Sequence, residues 1–283
     1  MYDTNSVGRA FSRAADSYGD ASVLQQAVED ELLTRLTTLN PPVDTIVDLG
    51  AGPGRASRSL AGRPGNPQVV AVDLASGMLE SWSHPGVQRV CADAAWLPLA
   101  DGCADLVWSN LMLQWSPDPG RLFAEVRRSL RPEGSFLFST FGPLTLTELR
   151  SAWGAVDAGS HVSDFIDMHD LGDGLLAAGF SDPVMDSQLI TLTYTDVRAL
   201  MMDLKAWGAS NRREDRPRGM MGKRRMKAMM AEYERHRVDD RIPATFEVIY
   251  GYARGAPTGR PVRQEAGEVA TIPVDSLRGS RRR

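Results

Sequence analysis

A glycine-rich turn is the first segment of the chain whose residue types and spacing could do chemistry. The motif Asp48-x-Gly50-x-Gly52-x-Gly54 directly follows an apolar run, and a helical pattern begins at Arg55. Glycines at such a strand-to-helix turn let a ligand approach the backbone closely at the carboxyl edge of a sheet. The nicotinamide fingerprint requires a glycine three residues after its second glycine, and Arg55 stands there. The turn therefore predicts a small-molecule site, but not one for a nicotinamide cofactor.

The elements that must position this turn alternate between strands and helices. Apolar runs predict strands and three- to four-residue periodicities predict helices. The predicted strands are 44–49, 68–73, 87–92, 104–110 and 135–141, and the helices between them are 55–60, 76–82 and 119–130. Strands that are continuously apolar and separated by helices indicate a parallel sheet covered on both faces. The predicted fold class is α/β, doubly wound.

The pattern changes after Phe141. Helical patterns at 146–156 and 170–178 precede a strand-like run at 188–194, and a last strand-like run covers 245–252. Between these two runs we expect a helical insertion over 196–240. Residues 256–283 are rich in proline, glycine and charge without periodicity, which predicts a flexible tail.

Composition excludes several classes of protein. Apolar residues make up 42% and charged residues 24% of the 283 residues, which is typical of a folded globular chain. A net charge of −4 argues against a general polyanion binder, so we expect no nucleic-acid partner. No apolar run approaches the roughly 20 residues that cross a bilayer, and the N-terminus lacks a signal-peptide pattern. We expect a cytoplasmic protein with no membrane partner. Cys91 and Cys103 form no CxxC pair, which argues against a zinc site or a disulfide framework.

The glycine motif resembles motif I of class I S-adenosylmethionine methyltransferases. The resemblance implies S-adenosylmethionine as the cofactor, a Rossmann-like, mostly parallel seven-stranded sheet, and an acid on the ribose hydroxyls at the end of the second strand. Asp73 stands in that place, and a carboxylate suits two adjacent hydroxyl donors. The cofactor-binding residues implied in this way are Asp48, Gly50, Gly52, Gly54, Asp73, Leu74, Asp93, Ala94 and Asn110.

Longer stretches resemble the malonyl-acyl-carrier-protein O-methyltransferase family of biotin synthesis over nearly the whole chain. These stretches are 11–18, 108–115, 141–150, 161–170 and 243–251. The resemblance implies methylation of the free carboxyl group of malonyl held as a thioester on acyl carrier protein. The sequence leaves malonyl-coenzyme A open as the alternative carrier. The resemblance also implies an N-terminal helical lid over 1–40 and a methyltransferase domain over 41–255.

The implied chemistry needs positioning more than acid-base catalysis. A carboxylic acid has a pKa near ~4, so malonyl is already an anion at neutral pH and needs no general base. The resemblance places Tyr18, Gln114 and Trp115 at the active site. Tyr18 could instead be a core residue of its helix, and Trp115 could instead pack beneath the lid.

The malonyl carboxylate calls for a cation, preferably a bidentate arginine. Arg150 is the first candidate, with Arg127 and Arg128 as rivals, although each of them could be an ordinary surface arginine. We also predict that His161 binds the substrate, although it could instead cap a helix or pack against polar neighbours. His161 and His169 lie eight residues apart, which does not match the spacing of a helical metal site, so we expect no metal.

A basic segment in the helical insertion predicts an acidic partner. Eight cations and two anions between residues 212 and 227 give a net charge of +6, against −10 for the rest of the chain. Such a patch could steer acyl carrier protein, or it could be a solvated helix face. The cations are Arg212, Arg213, Arg216, Arg218, Lys223, Arg224, Arg225 and Lys227.

Two other functions stay open at this point. The complex I assembly factor that hydroxylates an arginine shares motifs with this chain at 145–150, 178–180, 208–211 and 243–245. Gln114-Trp115, the basic segment and Asp186 favour the methyltransferase. The intact glycine motif with Asp73 argues against a non-catalytic cofactor-binding scaffold. Tyr252 replaces a histidine that is common in the family, which affects only local packing. We expect a monomer.

Overall fold

The computed structural model describes residues 4–21, 23–207, 222–256, 262–264 and 267–269. At residues 5, 6, 14, 16–21, 262–264 and 267–269 it describes the backbone alone.

A seven-stranded sheet forms the centre of the molecule. Its strands lie in the order β3-β2-β1-β4-β5-β7-β6, and all neighbours are parallel except β7, which is antiparallel to both β5 and β6. The strands are β1 (Thr45–Leu49), β2 (Gln68–Asp73), β3 (Val87–Cys91), β4 (Ala104–Asn110), β5 (Leu130–Phe141), β6 (Phe180–Tyr194) and β7 (Ile242–Gly255). The predicted doubly wound, mostly parallel sheet is confirmed.

Helices cover both faces of this sheet. They are α1 (Thr4–Ala21), α2 (Val23–Leu39), α3 (Arg55–Ala61), α4 (Ser76–Glu80), α5 (Pro119–Ser129), α6 (Thr147–Gly154), α7 (Met168–Ala177), α8 (Val197–Ala206) and α9 (Lys223–Tyr233). None of the described helices is long and apolar enough to cross a bilayer.

Alternation along the central strands divides the core into two layers. Leu106 and Trp108 of β4 point into a cluster with α2, α6, α8 and α9, whereas Val107 points into a cluster with α5 and α7. Successive side chains of a strand face opposite sides of a sheet, so a continuously apolar strand must be covered twice. Because β1 to β4 are parallel, their carboxyl ends lie together at one edge of the sheet, where the candidate site lies.

Three strands are longer than predicted. β5 begins at Leu130 rather than Ser135, because α5 ends at Ser129 and the chain becomes extended immediately. β6 begins at Phe180 rather than Gln188, because a bulge between Ser181 and Val184 lets the strand continue across Pro183. β7 pairs with almost the whole of β6, which extends it at both ends.

Two short strands lie within the tail that the sequence predicts to be flexible, and its flexibility stays a prediction. β8 (Val262–Gln264) and β9 (Gly267–Val269) form an antiparallel pair. The other tail residues after Ala256 lie outside the described part of the chain.

Candidate functional site

The glycine turn after β1 is held in a left-handed backbone conformation. Gly50, Gly52 and Gly54 have φ angles of 80°, 51° and 72°, which side chains rarely adopt. A Cβ on Gly50 would lie 2.5 Å from the Met112 side chain, and one on Gly54 would lie 2.1 Å from the Trp82 ring. A Cβ on Gly52 would meet nothing within 4 Å. The outer glycines are therefore packed against protein, while the backbone of Gly52 faces open space.

A cleft of about 820 Å³ lies at this edge of the sheet. Seven of the nine predicted cofactor residues line it: Gly50, Gly52, Asp73, Leu74, Asp93, Ala94 and Asn110. Gly54 does not line the cleft because it packs against Trp82. The ends of four neighbouring parallel strands supply this lining, as the sequence predicted.

Asp73 is bonded to the glycine turn. Its Oδ2 accepts a hydrogen bond from the Gly52 amide at 2.8 Å, and its Oδ1 accepts one from the Ala75 amide at 2.7 Å. Burial raises the pKa of Asp73, while these backbone donors act in the opposite direction. A carboxylate has further lone pairs for hydroxyl donors. Asp73 can therefore bind a vicinal diol while it holds the turn.

Asp48 lies beneath the turn rather than in the cleft. Its carboxylate accepts a hydrogen bond from the Ser57 hydroxyl at 2.5 Å, and burial raises its pKa to about 7. It lines an adjoining cavity of about 840 Å³, the Asp48 cavity, which shares Gly50, Gly52 and Asn110 with the cleft. Gln25 lines the same cavity, and its buried Oε1 has no hydrogen-bond partner among the described residues. Its lone pairs therefore leave a polar position in the Asp48 cavity.

Helix α1 forms one wall of the cleft. A Cβ on Gly8 would lie 3.1 Å from the Leu74 side chain, and one on Gly77 would lie 2.8 Å from the Ser12 carbonyl oxygen. These distances show that α1 packs closely against the turn after β2 and against α4. The ring of Phe11 meets the ring of Trp115 edge-on at 5.3 Å, and both residues line the cleft.

The predicted site residue Tyr18 belongs to α1. Its side chain lies outside the described residues, so its role stays a prediction.

Gln114 lies beyond the cleft, in a cavity of about 460 Å³ that we call the Gln114 cavity. Ser116 lines both spaces. The Gln114 amide is held at both ends: Nε2 donates to the Leu111 carbonyl at 2.6 Å, and Oε1 accepts from the Thr140 hydroxyl at 3.1 Å. Most of the other lining is apolar, and Asp164 is its acidic member.

Arg150 reaches the Gln114 cavity indirectly. Its Nη1 donates to Asp164 Oδ1 at 3.2 Å and its Nη2 donates to the Ser163 carbonyl at 3.1 Å. The side chains of Arg150 and Asp164 are 39% and 69% exposed. Such exposed ion pairs contribute little stability and exchange partners easily.

His161 is held in place by its neighbours. It bonds Asp157 at 2.7 Å and stacks on Trp153 at 3.8 Å, within a separate cavity of about 530 Å³ that Arg150 also lines. His161 does not line the cleft or the Gln114 cavity, and the geometry favours the packing role that the sequence left open.

The structure does not support Arg128 as a substrate ligand. Its guanidinium donates to Glu125 at 2.9 Å, to Asp101 at 2.7 Å and to the carbonyls of Leu97 and Leu99. These bonds tie α5 to the loop after β3 and occupy the donors of the side chain. Arg127 is likewise bonded to carbonyls, including that of Gly179 at 3.1 Å.

Half of the predicted docking cations can be placed. Lys223, Arg224, Arg225 and Lys227 are exposed on α9, and Arg225 Nη1 lies 3.7 Å from Asp157 Oδ2. Arg212, Arg213, Arg216 and Arg218 lie outside the described residues.

Sequence reasoning missed the side chains that support the turn. Met112 and Trp82 contact its glycines from other segments, and Ser57 of α3 bonds Asp48 beneath it. No spacing rule connects these residues to the motif. In total, the cleft offers an open glycine backbone, a carboxylate for a diol and a second carboxylate, Asp93, at the end of β3. This set fits a nucleoside-bearing cofactor.

Comparison with known proteins agrees with this geometry. The family model for the methyltransferase domain matches residues 47–138, which include the glycine turn, Asp73 and Asn110. Methyltransferases of this fold use S-adenosylmethionine, which has the ribose diol and adenine that the cleft fits. S-adenosylmethionine is thus the cofactor.

Solved structures show the same fold at low sequence identity. The YcgJ protein from Bacillus subtilis matches 80% of this chain and 97% of its own with a TM-score of 0.56 and 17% identity. Phosphoethanolamine N-methyltransferase 2 from Haemonchus contortus matches 80% of this chain and 53% of its own, with a TM-score of 0.50 and 16% identity.

Sequence relatives are much more similar and span nearly the whole chain. A malonyl-[acyl-carrier protein] O-methyltransferase from Laribacter hongkongensis is 43% identical over 93% of this chain and 92% of its own length. Relatives of the same name from Gallionella capsiferriformans and Halorhodospira halophila are 43% and 44% identical, over 96% and 99% of this chain and 97% of their own lengths. At this identity and coverage, the chain belongs to the malonyl-[acyl-carrier protein] O-methyltransferase family.

Proposed function

We propose that this protein transfers a methyl group from S-adenosylmethionine to the free carboxylate of malonyl-acyl carrier protein, an early step of biotin synthesis. Family membership supports the substrate, and one structural observation carries the reaction. The Gln114 cavity adjoins the cofactor cleft, because Ser116, the residue after Trp115, lines both, and this places a space for the acceptor beside the cofactor.

The residues present suit a reaction that depends on positioning. S-adenosylmethionine supplies an electrophilic methyl group on a sulfonium. Attack by a carboxylate neutralises both charges, and a mostly apolar cavity favours a step that removes charge. Gln114, clamped by Leu111 and Thr140, has one remaining amide hydrogen that can orient the acceptor. No general base is required, because the acceptor is already ionised.

Arg150 remains the candidate for holding the malonyl carboxylate. It contacts the wall of the Gln114 cavity through Asp164, and this ion pair is exposed. The incoming carboxylate would replace Asp164 on the guanidinium, so that one carboxylate exchanges for another without a net loss of pairing.

The exposed cations of α9 form the proposed docking surface for the carrier protein. Acyl carrier protein is acidic and carries a phosphopantetheine phosphate, so its encounter with α9 should be steered electrostatically and weakened by salt. This surface is proposed for the described residues Lys223, Arg224, Arg225 and Lys227.

A substrate panel tests the proposed function. Purified protein with labelled S-adenosylmethionine should methylate malonyl-acyl carrier protein and leave acetyl-acyl carrier protein unmodified, because acetyl lacks the free carboxylate. Malonyl-coenzyme A, which lacks the acidic carrier, should react with a higher KM. Labelling of acetyl-acyl carrier protein at the malonyl rate would contradict carboxyl transfer.

A matched pair of variants tests the role of Arg150. Arg150→Gln should raise the KM for malonyl-acyl carrier protein by about 10- to 100-fold, because a charge-assisted bond contributes about 1.5–3 kcal/mol. Asp164→Asn should leave this KM unchanged or lower it, because it frees the guanidinium. If both variants raise KM equally, Arg150 only anchors the loop that carries Asp164.

A further inference from the structure

Trp82 contacts the glycine turn although it lines neither the cleft nor the Asp48 cavity. It follows α4, and its indole Nε1–H donates to the Gly52 carbonyl at 3.0 Å. Its ring occupies the space where a Gly54 side chain would be. Trp82 therefore contacts two of the three glycines of the turn, Gly52 and Gly54.

Two arginines fix the ring of Trp82. The guanidinium carbons of Arg58 and Arg89 lie 5.5 and 5.8 Å from the ring centroid, within the range of cation–π contact. Arg89 also donates to the carbonyls of Trp82 and Leu79, which ties the ring's own backbone to β3. Arg58 donates to the Pro53 carbonyl at 3.1 Å. The tryptophan and the turn are thus held as one unit.

Gly52 is the turn residue on which these contacts converge. Its amide donates to Asp73, and its carbonyl accepts from Trp82. Glycine loses more backbone entropy on ordering than any other residue, so three glycines in five positions make an intrinsically mobile turn. Bonds on both sides of Gly52 restrict this motion before any ligand binds.

We propose that Trp82 is a positioning residue that preorganises the glycine turn and thereby sets the affinity for S-adenosylmethionine. It acts through Gly52 rather than by contact with the cofactor. A turn ordered in advance lowers the entropic cost of binding, and the orientation of Asp73 is fixed by the same network. The proposal concerns cofactor binding and does not depend on the acceptor.

Calorimetric titration with S-adenosylmethionine alone tests this role. Trp82→Phe keeps an aromatic ring against Gly54 and removes the indole donor, so the Kd should rise by about two- to tenfold, as expected for one neutral hydrogen bond. Trp96→Phe is the matched control. Trp96 is 66% exposed and stacks on Arg121 at 3.8 Å, without contact to the turn. The Kd of the Trp96→Phe variant for S-adenosylmethionine should equal that of the wild type.

A second readout separates positioning from general damage. With saturating S-adenosylmethionine, Trp82→Phe should retain the wild-type kcat, although its urea unfolding midpoint without ligand should lie slightly below that of Trp96→Phe because the bond to Gly52 is lost. A wild-type Kd in Trp82→Phe would overturn the proposal. An equal loss of affinity in the Trp96→Phe control, or a fall in kcat at saturating cofactor, would also overturn it.

Discussion

The substitution Asp73→Asn should weaken the binding of S-adenosylmethionine without lowering the stability of the protein. The carboxylate accepts the amides of Gly52 and Ala75 with its two oxygens, and asparagine has only one acceptor oxygen. In the complex the variant also loses acceptor capacity for the ribose hydroxyls. One lost charge-assisted bond is worth about 1.5–3 kcal/mol, so the Kd for S-adenosylmethionine should rise by about 10- to 100-fold.

Stability should not fall in parallel. Burial raises the pKa of Asp73, which means that the folded protein disfavours its charge despite the backbone donors. Removal of a charge that the fold disfavours offsets the loss of one acceptor. We therefore expect a urea midpoint close to that of the wild type in Asp73→Asn, together with the weaker binding.

Calorimetric titration at pH 8 measures the change in affinity. Asp93→Asn is the control, because within the described residues the Asp93 carboxylate accepts the Ala95 amide at 2.9 Å and does not bond the glycine turn. It should lose less affinity than Asp73→Asn. A Kd for Asp73→Asn within about threefold of the wild type, less than about 0.7 kcal/mol, would refute this account of the cleft.

Three further perturbations test other parts of the site. Burial raises the pKa of Asp48 from 3.8 to about 7, so the wild type loses stability as the pH rises through this window. Asp48→Asn should have a higher urea midpoint than the wild type at pH 8 and an equal midpoint near pH 4. Equal midpoints at pH 8 would contradict the raised pKa of Asp48. Gly77→Ala places a Cβ 2.8 Å from the Ser12 carbonyl and should loosen α1, which would speed the release of S-adenosylmethionine in stopped flow. Gly154→Ala is the control and should leave the release rate unchanged, because its Cβ would meet no described atom within 4 Å. Replacement of the four described cations of α9 by glutamate should raise the KM for malonyl-acyl carrier protein at low salt. The KM for malonyl-coenzyme A should not change. Equal effects on both KM values would argue against docking of the carrier protein on α9.

The sequence predicted the sheet edge well because local patterns determine it. β2 and β4 have the predicted bounds, since apolar runs flanked by glycine, proline and polar residues mark strands directly. Asp73 and Asn110 end these strands, and both line the cleft, where the resemblance implied cofactor contacts. β6 was only half predicted, because Pro183 signals a loop and only the pairing with β7 shows that the strand continues across a bulge.

Contacts between distant segments could not be predicted. Arg128 was a rival candidate for the substrate carboxylate, but its partner Asp101 lies 27 positions away and no sequence pattern indicates this pairing. Trp82 and Gly52 are 30 positions apart. A single sequence shows which residues end strands, whereas the partners of a side chain depend on how the strands and loops pack.

The mass of the product tests the central claim most directly. Malonyl-acyl carrier protein incubated with the protein and S-adenosylmethionine should gain the mass of one methyl group, and fragmentation should locate that group on the free malonyl carboxyl as an ester. Cofactor binding measured on the same preparation shows that the protein is competent. An unchanged malonyl carrier despite bound cofactor, or a methyl group elsewhere on the carrier protein, would contradict the account.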